Sequence, residues 1–386
     1  DVSDIQLYFD IQTRMGATVR MINRTTFELD CSGVHTSSVP HELACQIRAS
    51  YYLVGALLGR FGKATVSMPG GCDFGVRPID QHIKGFNIMG ADVQIVSGDI
   101  IATTQAPLHG SRIYLDVVSV GATMNIMIAA VLAEGTTIIE NAAKEPHIVD
   151  VANFLNAMGA NVSGAGTDVI KVRGVKHLKG GTYSIIPDQI EAGTYMAAVA
   201  ATGGKVLVKN IIPKHLDCIT AKLREMGVKI TEQGDALLVE SDGHLKKAKV
   251  KTMPHPGFPT DMQPQIAVCM AVAEGTSVVT ESVWDNRFRY IGELRRMGAQ
   301  VQVDGKVAII EGVPQLRGCR VKACDLRAGD AMVIAGLVAQ GTTTISDIKY
   351  VERGYENITE KFQALGADFQ KVETPPEPRL KVVPAG

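Results

Sequence analysis

The chain of 386 residues has little that would place it by composition alone. Aromatic residues make up 5% of it, with a single tryptophan. Charge of either sign is not in excess: 39 Lys and Arg against 40 Asp and Glu leave a net charge of −1, so no overall field draws it to nucleic acid or an anionic membrane. The seven cysteines, at 31, 45, 72, 218, 269, 319 and 324, show no CxxC spacing. That pattern speaks against a disulfide framework or a zinc site and for a reducing, cytoplasmic setting. No basic-then-apolar signal peptide opens the chain. The richest apolar run, Val117 to Ala133, is broken by Ser119, Gly121, Thr123 and Asn125, so it reads as a core helix rather than a membrane span. Neither a P-loop nor a dinucleotide-type GxGxxG after a strand is present.

What is present is a repeat. Met15-Gly16-Ala17 returns as Met89-Gly90-Ala91, Met158-Gly159-Ala160, Met226-Gly227-Val228, Met297-Gly298-Ala299 and Leu365-Gly366-Ala367. These glycines are separated by 74, 69, 68, 71 and 68 residues, each at the end of a helical pattern and before an alternating strand. A second phrase, an apolar helix closed by glycine and followed by a β-branched strand, recurs out of phase at Gly62, Gly135, Gly203, Gly275 and Gly341. The unit is β-α-β-α-β-β. Its apolar helices bury best by packing together inside, with the sheets around them. Six units then make two three-fold α/β domains, expected at 1–186 and 187–386, with the crossover at Pro187-Asp188. Cys31 to Pro40 reads as a loop, Leu380 to Val383 as a strand-like tail, and 365–369 as a helix end running into a strand. Because the first Met-Gly-Ala glycine falls at 16, about fifty residues of the first unit are expected upstream of Asp1.

Polar residues open the helices of the second phrase: His41-Glu42 (on a helix carrying Arg48), Ser119, Asp188, Pro259-Thr260-Asp261 and Asp325. Each can be an N-cap. Together, helix N-termini on one face also suit an anion, and Arg48, Arg77, Arg287, Arg327 and Arg353 recur nearby. The loop Pro69-Gly70-Gly71-Cys72-Asp73-Phe74-Gly75-Val76-Arg77-Pro78 sets a thiol five residues from a guanidinium, a setting that favours the thiolate.

These phrases, with Ser119-Val120-Gly121-Ala122-Thr123, Glu140 to Pro146, Pro254 to Gln263, Asp325-Leu326-Arg327-Ala328 and Arg353-Gly354-Tyr355-Glu356, resemble the enolpyruvyl transferase family over essentially the whole chain. The resemblance is to its members acting on UDP-N-acetylglucosamine. It implies two inside-out α/β barrel domains, each of three repeats, with the active site in the interdomain cleft. The implied reaction transfers the enolpyruvyl group of phosphoenolpyruvate to the 3′-hydroxyl of UDP-N-acetylglucosamine with release of phosphate. No cofactor and no metal is implied, and no nucleic acid or membrane partner.

The resemblance implies Cys72 as proton donor, Asp261 as the base meeting the sugar hydroxyl, and Arg353 and Arg77 as holders of phosphoenolpyruvate, with Arg287 and Arg327 beside them. Nucleotide-sugar contacts are implied for Arg48, for Arg77, Pro78, Ile79, Asp80 and Gln81, for Val117, Val118, Ser119 and Val120, and for Val283. It further implies closure of the Cys72 loop over bound sugar and alkylation of Cys72 by fosfomycin. Two departures stand out. The family's Gly-Ala-Lys-Asn phrase does not occur in these residues, and Val117 stands where the family often has lysine. A non-catalytic nucleotide-sugar-binding relative, a shikimate-type transferase and a repeat scaffold for protein partners are the alternatives. Ligand-induced stabilisation and phosphate release discriminate among them.

Overall fold

The structure, a computed structural model, describes residues 2–68 and 78–373. The period read from the sequence is a period of backbone conformation. Gly16, Gly90, Gly159, Gly227, Gly298 and Gly366 all end helices with φ between 94° and 106°. Gly62 and Gly203 cap the second set of helices, and Gly135, Gly275 and Gly341 stand in the short turns between such a helix and its strand, all with φ of 65° to 93°. An L-residue with a side chain rarely enters this region, so glycine recurs where each helix must turn into a strand.

The sheets repeat with the same regularity. Strands Arg112–Tyr114, Thr136–Glu140, Val169–Arg173 and Asn161–Ser163 lie side by side in that order. The first pair is parallel and the others are antiparallel. Lys249–Lys251, Thr276–Thr280, Val307–Glu311 and Gln300–Asp304 reproduce both order and senses two periods later. Three-stranded sheets alternate with them: Lys63–Ser67, Asp99–Thr104, Ala91–Val96 in one half and Gly204–Val208, Leu237–Ser241, Lys229–Glu232 in the other. In both, the strand that comes last in sequence is central.

Helices that are apolar on every side must be buried on every side. Every residue of Gln263–Ala271 is buried, as are most of Gln189–Thr202 and Leu326–Val338. These three helices pack on one another at the centre of the second half, with the sheets outside. In the first half Tyr52–Phe61 packs on Val120–Ala130. A Cβ at Gly55 would lie 2.4 Å from the Asn125 carbonyl, so the two helices cross in close contact. Buried Asn125 ties them: its Oδ1 accepts from the Gly55 N–H at 2.9 Å and its Nδ2 donates to the Tyr51 carbonyl at 2.8 Å. One hydrophobic core runs from Ile11 to Val172, the other from Ile190 to Phe362. The fold is a two-domain α/β architecture with helices inside and sheets outside.

Two local expectations are corrected. His41 and Arg48 do not share a helix: His41–Ala44 is a single turn, Ile47 is extended (φ −132°, ψ 134°), and Arg48–Tyr51 is a separate 3-10 turn before Tyr52–Phe61. No strand follows Gly366 over 367–373, because no neighbouring strand among the described residues pairs with that backbone. The tail at 380–383 and the loop at 69–77 lie outside the described residues. Residues 31–40 form a loop as expected, touching the sheet through a Ser38–Thr65 bridge. Among the described residues, no helix is long and apolar enough to cross a membrane.

Candidate active site

Three of the helix-opening polar residues are caps. Ser119 Oγ accepts from Ala122 N–H at 3.2 Å, Asp188 Oδ1 from Ile190 N–H at 2.8 Å, and Asp325 Oδ1 from Arg327 and Ala328 N–H at 2.9 and 3.0 Å. Each satisfies N–H groups that the helix leaves open. Asp261 is different. It sits inside the 3-10 turn Thr260–Met262 and is the N-cap residue of neither that turn nor the helix Gln263–Ala271.

That carboxylate lies between two guanidinium groups. Arg287 Nη2 donates to Asp261 Oδ1 at 3.1 Å and to the Thr260 carbonyl at 3.3 Å, and Arg327 Nε donates to Asp261 Oδ2 at 3.4 Å. The Arg287 side chain is 0% exposed and that of Arg327 13%, whereas Asp261 keeps 43%. Two cations are thus sunk in protein behind a carboxylate that opens outward. Arg327 Nη1 also donates to Tyr355 Oη at 3.1 Å, and Tyr355 Oη lies 2.8 Å from Thr194 Oγ1. Burial works against the Arg327 charge, but Tyr355, Asp261, Asp188 and Asp330 outweigh it and hold the guanidinium protonated. Val283, 37% exposed, stands on the loop that leads to Arg287, its N–H bonded to Glu281 at 2.8 Å.

A second group forms on the first half. The Arg48 guanidinium lies 5.1 Å from the centre of the Tyr51 ring, which packs edge-on to His82 at 4.7 Å. A Cβ at Gly121 would come within 2.3 Å of Tyr51 Oη and 3.0 Å of His82 Nε2, so only glycine lets this helix start rest there. Gln81, 5% exposed, joins the remaining segments: its amide donates to Asp80 Oδ2 at 2.8 Å and Asp116 Oδ2 at 3.2 Å, and its Oε1 accepts from Asp116 N–H at 2.8 Å. Lys84 completes the clamp on Asp116 at 2.7 Å. The residues 78–81 and 117–120 therefore meet, with Ile79 buried, Pro78 and Asp80 exposed, and Val117 and Val118 presented at 58% and 39% exposure. Val120 is half-buried behind them.

Arg353 does not join Asp261 through any of these bonds. Its guanidinium forks onto Asp4 of the helix Ser3–Arg14, Nε to Oδ1 at 2.8 Å and Nη2 to Oδ2 at 3.0 Å. Ser3 N–H bonds the Glu352 carbonyl at 3.4 Å, and Arg24 bonds Glu356 at 3.2 Å. The halves also meet where His255 N–H donates to Glu145 Oε1 at 3.2 Å, beside His147, which senses the charges of both Asp261 and Asp188. Cys72 and Arg77 lie outside the described residues. Sequence reasoning missed Tyr355, Thr194, Glu281, Gln81's partner Asp116, and Asp4. Of these only Tyr355 carried a signal, as part of the Arg353-Gly354-Tyr355-Glu356 phrase.

His82 makes the first half acid-sensitive. Burial, then the charge of Arg48, push its imidazole down to about 4, with Asp80 opposing. A depressed histidine lends stability above its unfolded value of about 6.5, and that stability is lost as pH falls through the window toward 4. The loss is about 3 kcal/mol over this span. Calorimetric melting at pH 7.5 and at pH 4.5 is expected to show a smaller acid-induced drop in His82→Gln than in the parent protein. An equal drop in both would remove His82 as its source.

The chain matches the model of the EPSP synthase (3-phosphoshikimate 1-carboxyvinyltransferase) family over residues 1–362. It is 55% identical over 372 residues, 96% of its length and 89% of the relative's, to a UDP-N-acetylglucosamine 1-carboxyvinyltransferase of Clostridium botulinum. It is 56% identical over the same shares to UDP-N-acetylglucosamine 1-carboxyvinyltransferase 3 of Caldanaerobacter subterraneus. Among solved structures, the enolpyruvyl transferase NikO from Streptomyces tendae superposes with a TM-score of 0.87 at 25% identity, covering 96% of this chain and 88% of that one. EPSP synthase from Acinetobacter baumannii shares the fold, with a TM-score of 0.71 at 20% identity over 94% of this chain and 88% of its own. With that architecture and that identity over nearly its full length, the chain belongs to the EPSP synthase (3-phosphoshikimate 1-carboxyvinyltransferase) family and, within it, to the UDP-N-acetylglucosamine 1-carboxyvinyltransferases.

Proposed function

We propose that this protein transfers the enolpyruvyl group of phosphoenolpyruvate to the 3′-hydroxyl of UDP-N-acetylglucosamine and releases inorganic phosphate, the first committed step of peptidoglycan synthesis, in the cytoplasm. The observation that carries the mechanism is the half-exposed carboxylate of Asp261 set against the buried guanidinium groups of Arg287 and Arg327. Asp261 accepts the proton of the 3′-hydroxyl as its oxygen bonds to C2 of phosphoenolpyruvate, while an acid delivers a proton to the methylene carbon C3. The tetrahedral adduct then loses a proton from C3 and its C2–O bond to phosphate, which restores the double bond. Arg287 and Arg327 supply fixed positive charge for the anion, with Arg77 and Arg353 completing the set.

Cys72 is the acid in this reading, on the strength of its Pro-Gly-Gly-Cys setting. Arg353 can take a substrate anion in place of Asp4, which already occupies its fork in carboxylate geometry. Residues 1–186 carry the patch of Arg48, Arg77 to Gln81 and Val117 to Val120 for the nucleotide sugar, and residues 187–386 carry Asp261, Val283, Arg287, Arg327 and Arg353. Phosphate release from phosphoenolpyruvate that depends on UDP-N-acetylglucosamine tests the reaction. Intact-mass measurement after fosfomycin should show one adduct, absent from Cys72→Ala. Release without the nucleotide sugar, or none with both substrates present, would overturn the assignment.

A further inference from the structure

Glu281 immediately follows the strand Thr276–Thr280 and is 1% exposed, yet among the described residues its hydrogen-bond donors are hydroxyls and backbone N–H groups. Its carboxylate collects four donors from three separate segments. Oε1 accepts from Thr252 Oγ1 at 2.8 Å, Val283 N–H at 2.8 Å and Trp284 N–H at 3.1 Å. Oε2 accepts from Thr260 Oγ1 at 3.0 Å. The Thr252 hydroxyl accepts from Ser282 N–H at 2.9 Å, which turns its own proton toward Glu281. The three partners of Oε1 all give protons, so that oxygen acts only as an acceptor.

Thr260 directly precedes Asp261, and it is held from two sides. Its hydroxyl is fixed by Glu281, and its carbonyl accepts from Arg287, which also binds Asp261. The bonds of Glu281 to the Val283 and Trp284 N–H groups shape the turn that presents Val283. Thr252 begins the loop that carries His255 across to Glu145 of the first half.

We propose that Glu281 is a positioning residue, setting the carboxylate of Asp261 and the backbone of Val283 in register for the nucleotide sugar. This rests on the reading of Asp261 as the base. Loss of the clip frees Thr260 and the Val283 turn together. A mobile Asp261 lowers the rate, and a mobile Val283 weakens nucleotide-sugar binding.

The test is a double-mutant cycle in turnover. Glu281→Ala is expected to lower kcat by about 10²-fold and to raise KM for UDP-N-acetylglucosamine. In an Asp261→Asn background the same change should cost less than about 3-fold in kcat, because its route of action is already gone. Glu281→Gln retains an acceptor for Val283 and Trp284 and should recover most of the nucleotide-sugar affinity. Thr260→Val removes only the Oε2 bond, and keeps the cycle readable if Glu281→Ala does not fold. It should lower kcat by about 10-fold with KM for the nucleotide sugar unchanged. Losses that multiply across the cycle, or a fall in Tm with kcat intact, would overturn the role of Glu281. Full turnover by Asp261→Asn alone would instead remove the base assignment beneath it.

Discussion

Asp261→Ala should lower kcat by about 10²–10⁴-fold, the range in which a positioned base contributes. Alanine also takes a countercharge from Arg287, whose side chain is wholly buried, and from Arg327, nearly so. Breaking a fully buried pair from one side costs about 3–5 kcal/mol. Asp261 keeps 43% exposure, so solvent screens part of that interaction, and about 1–3 kcal/mol is the expected loss. Asp261→Asn separates the two effects. Its amide oxygen still accepts from one arginine and restores part of the stability, but it cannot take the sugar proton. Melting curves should therefore rank parent, Asn, Ala, while both variants stay near the floor in turnover. An asparagine variant within about tenfold of the parent rate would assign the base elsewhere.

Arg327→Ala carries the second large effect. The guanidinium joins Asp261 to Tyr355 and through it to Thr194, and its plane lies 5.6 Å from the Tyr355 ring centre. Removing it leaves Asp261 with an altered orientation and deletes fixed charge from the anion site, so kcat/KM for phosphoenolpyruvate should fall by about 10²–10³-fold. Arg327→Lys should recover little. An ammonium is a point charge on a flexible stem and cannot hold Asp261 and Tyr355 from one rigid fork. A lysine variant with near-parental kcat/KM would mean that charge alone is required.

The passages from helix to strand were readable because one backbone feature, a positive-φ glycine between a helix and the strand after it, recurs at eleven positions and only glycine fills it cheaply. Sheet order followed the same period. Single side chains were less readable. Ser119, Asp188, Asp261 and Asp325 are equivalent in sequence, each a short polar residue ahead of an apolar helix. Only coordinates separate the three that cap from the one that turns outward between arginines. The short extended break at Ile47 has no periodic signature, so the helix opened by His41-Glu42 reads as running on through Arg48, where a separate 3-10 turn begins. The pairing of Arg353 with Asp4 spans 349 positions, and neither residue announces its partner.

Apart from the single His255–Glu145 hydrogen bond, the described residues fasten the two halves in two places: by the polypeptide between the strand Val169–Arg173 and the helix Gln189–Thr202, and by the Asp4–Arg353 fork with its neighbours. Bodies tethered at a single point swivel in three directions. A second tether leaves one, rotation about the line through both. Any relative movement of these halves is thereby reduced to a door-like swing, and a door offers few wrong ways to shut.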